Sequence, residues 1–144
     1  MSEAGKGGGA PRPSVKELGP GFMAAMGFRL TEWGDGHAVI EVALGPDHLN
    51  MRGVVHGGVL AALLDSAISW CGLWDPDPAR ERRCLTLSLT TTFVGQATGG
   101  TLRAVGRRRG GGRKIFQATA EVLDEAGTLV ALGEGVLRLR SGSE

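Results

Sequence analysis

Two cysteines, no tyrosine and no surplus of either charge mark this 144-residue sequence. Cys71 and Cys84 show no metal-type spacing. One lies in an apolar stretch and the other at a strand start, so both read as free thiols in or near the core. Sixteen basic side chains against 15 acidic ones leave a formal charge of +1. That balance lacks the concentrated basic excess of a nucleic-acid binder. There is no secretory leader and no uninterrupted apolar run of membrane length, so the expectation is a cytoplasmic protein with no membrane partner. Glycine is plentiful, at 25 residues, but scattered over turns rather than repeated.

What is there is one domain's worth of chain with a single dominant segment. Residues 1–13 are a Gly/Pro-rich polar tail expected to be flexible, and residues 14–140 form the domain. Ser14 and Glu17 stand in capping-box spacing for a short helix. Phe22 to Met26 predicts another helical turn, and Phe28 to Trp33 a strand. Gly34-Asp35-Gly36 is a hairpin signal. His37 to Leu44 alternates, with Ala38, Ile40, Val42 and Leu44 on one face. Four more strands are expected after residue 80: Cys84 to Val94, Gly99 to Val105, Ile115 to Leu123 and Thr128 to Leu139. On the first of these, Thr86, Ser88, Thr90 and Thr92 share one face by strict alternation. The run from Arg107 to Lys114 reads as a basic turn. His37 and His48 read as surface residues.

The dominant segment is Asn50 to Trp74. It opens as a glycine-punctuated loop and becomes, from about Gly57, a helix rich in Ala and Leu without proline. It is apolar nearly all round and is expected to be buried. Gly58, Ala61, Ala62, Asp65, Ser69 and Gly72 fall on one face, a stripe of small side chains with one carboxylate. The remaining faces carry Val59, Leu60, Leu63, Leu64, Ala67 and Cys71, which suit packing on a sheet. At about 100° and 1.5 Å per residue, Asp65 lies about 180° around and about 13 Å along the helix from His56. If both serve one site, they come from different copies of the chain. Two strands, a helix and four strands favour an α+β domain in which a curved antiparallel sheet wraps one long helix. The helix's uncovered side favours a homo-oligomer.

Asn50-x-x-Gly53-x-x-His56-Gly57-Gly58, with Asp65 in an Ala/Leu-rich helix, resembles the hotdog-fold acyl-CoA thioesterases, most closely the PaaI-type family named for phenylacetic acid degradation. Leu85 to Ala97 and Ala118 to Ala131 also resemble it, and the likeness spans roughly Phe22 to Leu139. It implies the hotdog fold, a dimer or a tetramer built from two dimers, active sites at the subunit interface, and an acyl-CoA substrate of aromatic or medium-chain acyl group. No cofactor and no metal are implied, coenzyme A being part of the substrate.

A thioester hydrolase needs a polarised carbonyl, a positioned water or nucleophile, and a leaving thiolate. Asp65 is the candidate general base or nucleophile. The Gly57 N–H, at the positive end of the helix dipole, is the candidate oxyanion donor. Asn50 is expected to hold water or the thioester oxygen, and His56 to orient the loop or approach the thioester. The resemblance places Thr86 opposite the partner chain's carboxylate, orienting water or substrate. Gly58, Ser69 and Ser88 are candidate substrate contacts. Arg107 and Arg108 are candidates for the coenzyme A phosphates, against the alternative of a solvated hairpin tip. Trp70, Trp74, Met51 and Phe93 are candidates to line an acyl pocket. The alternative function is a non-catalytic acyl-CoA-binding or sensing protein of the same fold.

Overall fold

The computed structural model describes residues 20–142, so the N-terminal tail and the Ser14–Glu17 cap lie outside the described residues. Helix α1 (Phe22–Met26) leads into strands β1 (Arg29–Gly34) and β2 (His37–Ala43). A short 3-10 turn at Pro46–His48 precedes helix α2 (Gly57–Cys71). Strands β3 (Cys84–Phe93), β4 (Thr101–Gly111), β5 (Ile115–Leu123) and β6 (Leu129–Leu139) complete the chain. All six strands form one antiparallel sheet in the order β1-β2-β4-β5-β6-β3. This is the expected α+β architecture, one long helix against one sheet. Among the described residues, no helix is long and apolar enough to cross a membrane.

The helix seats on the sheet by an alternation of bulk. Val59, Leu60, Leu63, Leu64, Ala67, Ile68 and Cys71 are buried, at the three- and four-residue spacing of one helical face. Beneath them the sheet is shaved down. A Cβ added at Gly106 in β4 would stand 2.2 Å from the Ala67 carbonyl oxygen, so only glycine admits the helix backbone at that depth. On β5, Phe116, Ala118, Ala120 and Val122 point into the core while Ile115, Gln117 and Glu121 are exposed. The expectation of a helix buried all round needs correcting. Gly58 is exposed, and Ala61, Ala62, Asp65, Ser66 and Ser69 are half-buried, because none of the described residues covers that side.

Three further expectations change. Strict alternation along β3 fails at a bulge between Thr86 and Ser88. One extra residue shifts the facing, so Thr86 and Leu89 turn toward the helix whereas Ser88 and Thr90 turn to the outer face. The basic run is not a turn up to Arg109: β4 carries it through Gly111, with a bulge between Arg108 and Gly110, and the turn itself is residues 112–114. Exposed arginines fit a two-stranded projection as well as they fit a loop, which is why composition alone misplaces them. His48 is half-buried rather than a surface residue. Its Nδ1 accepts from the Gly45 N–H (2.9 Å), which leaves the proton on Nε2 to donate to the Met26 carbonyl (2.7 Å), tying the loop before α2 to α1.

Candidate active site

The site grows from the two ends of one stretch. At its start, the loop from Asn50 folds on itself: Asn50 Oδ1 accepts from the N–H groups of Arg52 (2.8 Å) and Val54 (3.3 Å). Gly53 sits at φ +81°, where a side chain is strained. The turn takes up the Asn50 oxygen and leaves its amide hydrogens. His56 behaves in the same way. It is the N-cap of α2, and its Nδ1 accepts from the Gly58 N–H at 2.8 Å. A histidine in the place of Ser or Asp thus satisfies one of the unpaired amides of the first turn. Accepting at Nδ1 puts the neutral ring's proton on Nε2. A Cβ on Gly58 would meet that ring at 2.9 Å, so the cap depends on glycine there. The Gly57 N–H has no acceptor among the described residues. The loop therefore commits its acceptors internally and presents three donors, from the Asn50 amide, His56 Nε2 and Gly57.

Two turns along α2 the chemistry reverses. Asp65 stands on the open face, half-buried, and the Thr86 hydroxyl donates to its Oδ1 at 2.6 Å. Thr86 was expected to meet a partner chain's carboxylate; the β3 bulge instead turns it onto the carboxylate of its own chain. One further turn on, Ser69 lines a cavity together with Cys84. Burial pushes the Cys84 thiol above its usual value; the neighbouring Ser69 hydroxyl opposes the rise and the nearby Asp65 adds to it. Burial, with Cys84 nearby, pushes Cys71 up to about 12. Both thiols stay protonated at neutral pH, which removes them as nucleophiles. Phe93, at the far end of β3, lies against Gly57: a Cβ there would be 3.7 Å from its ring. Strand β3 thus runs down the border of the open face in reverse order, Cys84 by Ser69, Thr86 by Asp65, Phe93 by Gly57.

The remaining expected residues fall elsewhere. Ser88 faces a groove on the outer side of the sheet with Thr90, Arg109, Gln117, Thr119 and Glu134, away from the helix. Arg107 lines a second outer-face groove with Glu32, His37 and Arg103. Arg108 lies over the Phe116 ring, 5.8 Å from its centroid, and donates to the Gly112 carbonyl. Neither arginine shares a cavity with Asp65. Met51 is fully exposed at the loop tip, and Phe93 is 52% exposed. Trp70 does line a cavity, together with Trp33, Ser69, Leu73 and Cys84. Trp33 was not among the sequence candidates. Its signal, an aromatic at the end of a strand, is indistinguishable from a core residue without the fold.

The model of the thioesterase superfamily matches residues 52–131, which span the His56 cap, Asp65 and Thr86. The chain belongs to the thioesterase superfamily. Among solved structures, a mutant of the phenylacetic acid degradation protein PaaI from Thermus thermophilus is 29% identical, with a TM-score of 0.70 over 81% of this chain and 96% of that one. A thioesterase from Haemophilus influenzae is 16% identical and shares the fold alone, with a TM-score of 0.79 over 92% of this chain and 94% of that one. A protein from Archaeoglobus fulgidus, provisionally named an esterase, is 27% identical over 110 residues, covering 76% of this chain and 68% of its own. The architecture is the hotdog fold, and the superfamily is one of hydrolases acting on esters and thioesters.

Proposed function

We propose that this chain is an acyl-CoA thioesterase that releases a free acid and coenzyme A, with aromatic or medium-chain acyl groups as substrates. The 2.6 Å bond from Thr86 to Asp65 carries the reading. It fixes one carboxylate on a helix face otherwise made of small side chains, where an acyl group has room to approach.

Hydrolysis adds water across the thioester. The water oxygen bonds to the carbonyl carbon, its proton passes to Asp65, the C–S bond breaks, and the departing thiolate takes up a proton. Asp65 acts as general base and Thr86 as its positioning residue. Attack by the carboxylate itself, with water then opening the mixed anhydride, needs the same geometry. The oxygen of the carbonyl gains charge as the new bond forms. The Gly57 N–H at the helix N-terminus suits that charge, and the Asn50 amide and His56 Nε2–H extend the donor set. The reaction as written needs no metal or redox cofactor.

Asp65 and Gly57 are eight residues apart on one helix, about 12 Å along its axis, too far to act on one carbonyl. A second copy resolves this. β3 is an edge strand with one side unpaired, and Leu85, Leu87 and Phe93 on it, with Val94 beyond, are 51–57% exposed. Such an edge is an aggregation hazard unless paired. Antiparallel pairing of β3 with its symmetry mate about a two-fold axis reverses the order of its contacts. The Gly57 end of one chain then lies beside the Asp65 end of the other. Each site takes its base from one subunit and its donors from the partner. The outer sheet face remains available for a dimer of dimers. Two free thiols fit a reducing cytoplasm.

The test is free-thiol release from a panel of aromatic and aliphatic acyl-CoAs, with Asp65→Asn beside wild type and the oligomeric state of both recorded. Wild type releases thiol and the variant, equally folded and assembled, does not. Turnover by a clean Asp65→Asn preparation at the wild-type rate rejects the assignment. Binding of acyl-CoA by wild type without release moves the chain to the acyl-CoA-binding class.

A further inference from the structure

Phe93 is a large aromatic residue that the core does not use. It lies beyond the β3 bulge, four residues after Leu89 and opposite the buried Ala131, so its side chain shares the face that looks at the helix. Leu89 packs against the core from that face, and Phe93 does not. The ring is 52% exposed. A phenylalanine left half in water forgoes much of the burial its side chain offers. What it does meet is Gly57.

A Cβ added at Gly57 would find Phe93 Cζ at 3.7 Å and Cε1 at 3.8 Å. Apart from its chain neighbours and the helix backbone, no other described atom lies within 4 Å of that point. Both distances are ordinary contact, and Gly57 has no positive φ. Neither space nor backbone conformation therefore demands glycine there, unlike Gly58, where a methyl strikes the His56 ring. The room in front of Gly57 is left for a group that is not part of the chain, and Phe93 is its wall. The ring stands at most about 5 Å from the Gly57 Cα. A water seated between two carbons needs about 7 Å, twice a contact distance, so none fits between ring and backbone.

The wall is fixed to the donor loop. Just beyond Phe93, the N–H groups of Val94 and Gly95 both donate to the Val130 carbonyl at 3.0 Å. The Ala97 carbonyl then accepts from the Val55 N–H at 2.7 Å, one residue before the His56 cap. Ring and loop are thus held as one unit.

Resting on the thioesterase reading above, we infer that Phe93 is a positioning residue for the reaction, acting through Gly57. It keeps water off one side of the free N–H, so that charge developing on the thioester oxygen meets this donor against carbon. A donor aimed at an oxyanion is worth more where water is excluded. In the two-fold pairing of β3 proposed above, the ring stands between the donor end of one subunit and the base end of its partner.

The experiment compares Phe93→Ala, Phe93→Asn and Phe93→Leu with wild type, recording kcat, KM, unfolding midpoint and oligomeric state. Phe93→Ala and Phe93→Asn lower kcat by about ten- to a hundredfold, short of the full loss of an oxyanion donor, and change KM little. Phe93→Leu, which keeps carbon against Gly57, restores most of kcat. An unchanged kcat in Phe93→Ala overturns the inference. So does a loss that follows dissociation of the oligomer, which makes Phe93 a pairing residue. A second readout is the infrared carbonyl band of isotope-labelled acyl-CoA bound to Asp65→Asn, with and without Phe93→Ala. The band lies below its position in water, and Phe93→Ala moves it back toward that position; the same band in both proteins rejects the wall. This arm needs binding but no turnover. If no acyl-CoA is hydrolysed by wild type yet the band depends on Phe93, the catalytic reading fails and the placing of Phe93 stands. If acyl-CoA does not bind at all, both fall.

Discussion

The two faces of α2 are built from the same fifteen residues and obey opposite rules. The inner face is bulky, aliphatic and closed, with Leu63, Leu64, Ala67 and Ile68 wholly buried. The outer face is small, half-open and holds the helix's single carboxylate. The inner face has no polar side chain to place and so tolerates tight packing on glycine and alanine strands. The outer face gives up that packing to leave space, and the carboxylate it carries is held by a neighbour, Asp65 by Thr86. Stability and chemistry are thereby assigned to different sides of one rod, and substitutions on the two sides should separate cleanly.

The sharpest break in that division is Asp65→Asn, which should lower turnover by about 10²–10⁴-fold, the usual contribution of a positioned base, with thermal unfolding unchanged. Leu64→Ala is its mirror. It should destabilise the domain by about 2–5 kcal/mol, seen as a lower midpoint in denaturant, while kcat below the transition is retained. A large loss of kcat in folded Leu64→Ala would show the faces to be coupled. Thr86→Val removes a hydrogen bond to a charged group, an interaction worth about 1.5–3 kcal/mol, and should reduce kcat by about ten- to a hundredfold; Thr86→Ser should restore most of it, and a Val variant as active as Ser would leave Thr86 a packing residue. Gly58→Ala drives a methyl into the His56 ring. It should remove the N-cap, at about 1 kcal/mol, and weaken turnover together with stability, since the cap and the donor loop are one structure.

The smallest effect lies on the outer sheet. Burial alone raises the Glu32 carboxyl, but hydrogen bonds from His37 and Arg103 outweigh it and hold the group below its ordinary 4.5. A lowered folded value means stability present above pH 4.5 and lost as pH falls below it. Glu32→Gln should flatten that acid limb of the stability curve and leave turnover untouched. An unchanged limb would assign the acid sensitivity to other carboxylates.

Much of this was legible in the sequence. The period of α2 separates its faces residue by residue, because helical spacing is rigid and the bulky and small side chains do not mix. The strand order of two, helix, four follows from turn residues and alternation. What escaped was set by tertiary pairing. The bulge after Thr86 is a property of β3 against β6, and no local pattern in Leu-Thr-Leu-Ser-Leu announces it. It decides that Thr86 reaches Asp65 and that Ser88 does not. The arginines of β4 were misplaced for the same reason, since their strand exists only because β5 pairs with it. The Asn50 and His56 roles were half visible: the spacing marks both, but only the hydrogen bonds reveal that each gives its acceptor to the backbone and keeps its donor.

The distribution of the indoles has a practical consequence. All three tryptophans, Trp33, Trp70 and Trp74, gather where α2 ends, and the chain has no tyrosine to compete with them in the ultraviolet. Emission excited near the red edge of protein absorbance therefore reports on one end of one helix. The protein carries its own optical probe at that spot, and quenching or a wavelength shift there follows events at the Trp33–Trp70 pair in real time, without a label.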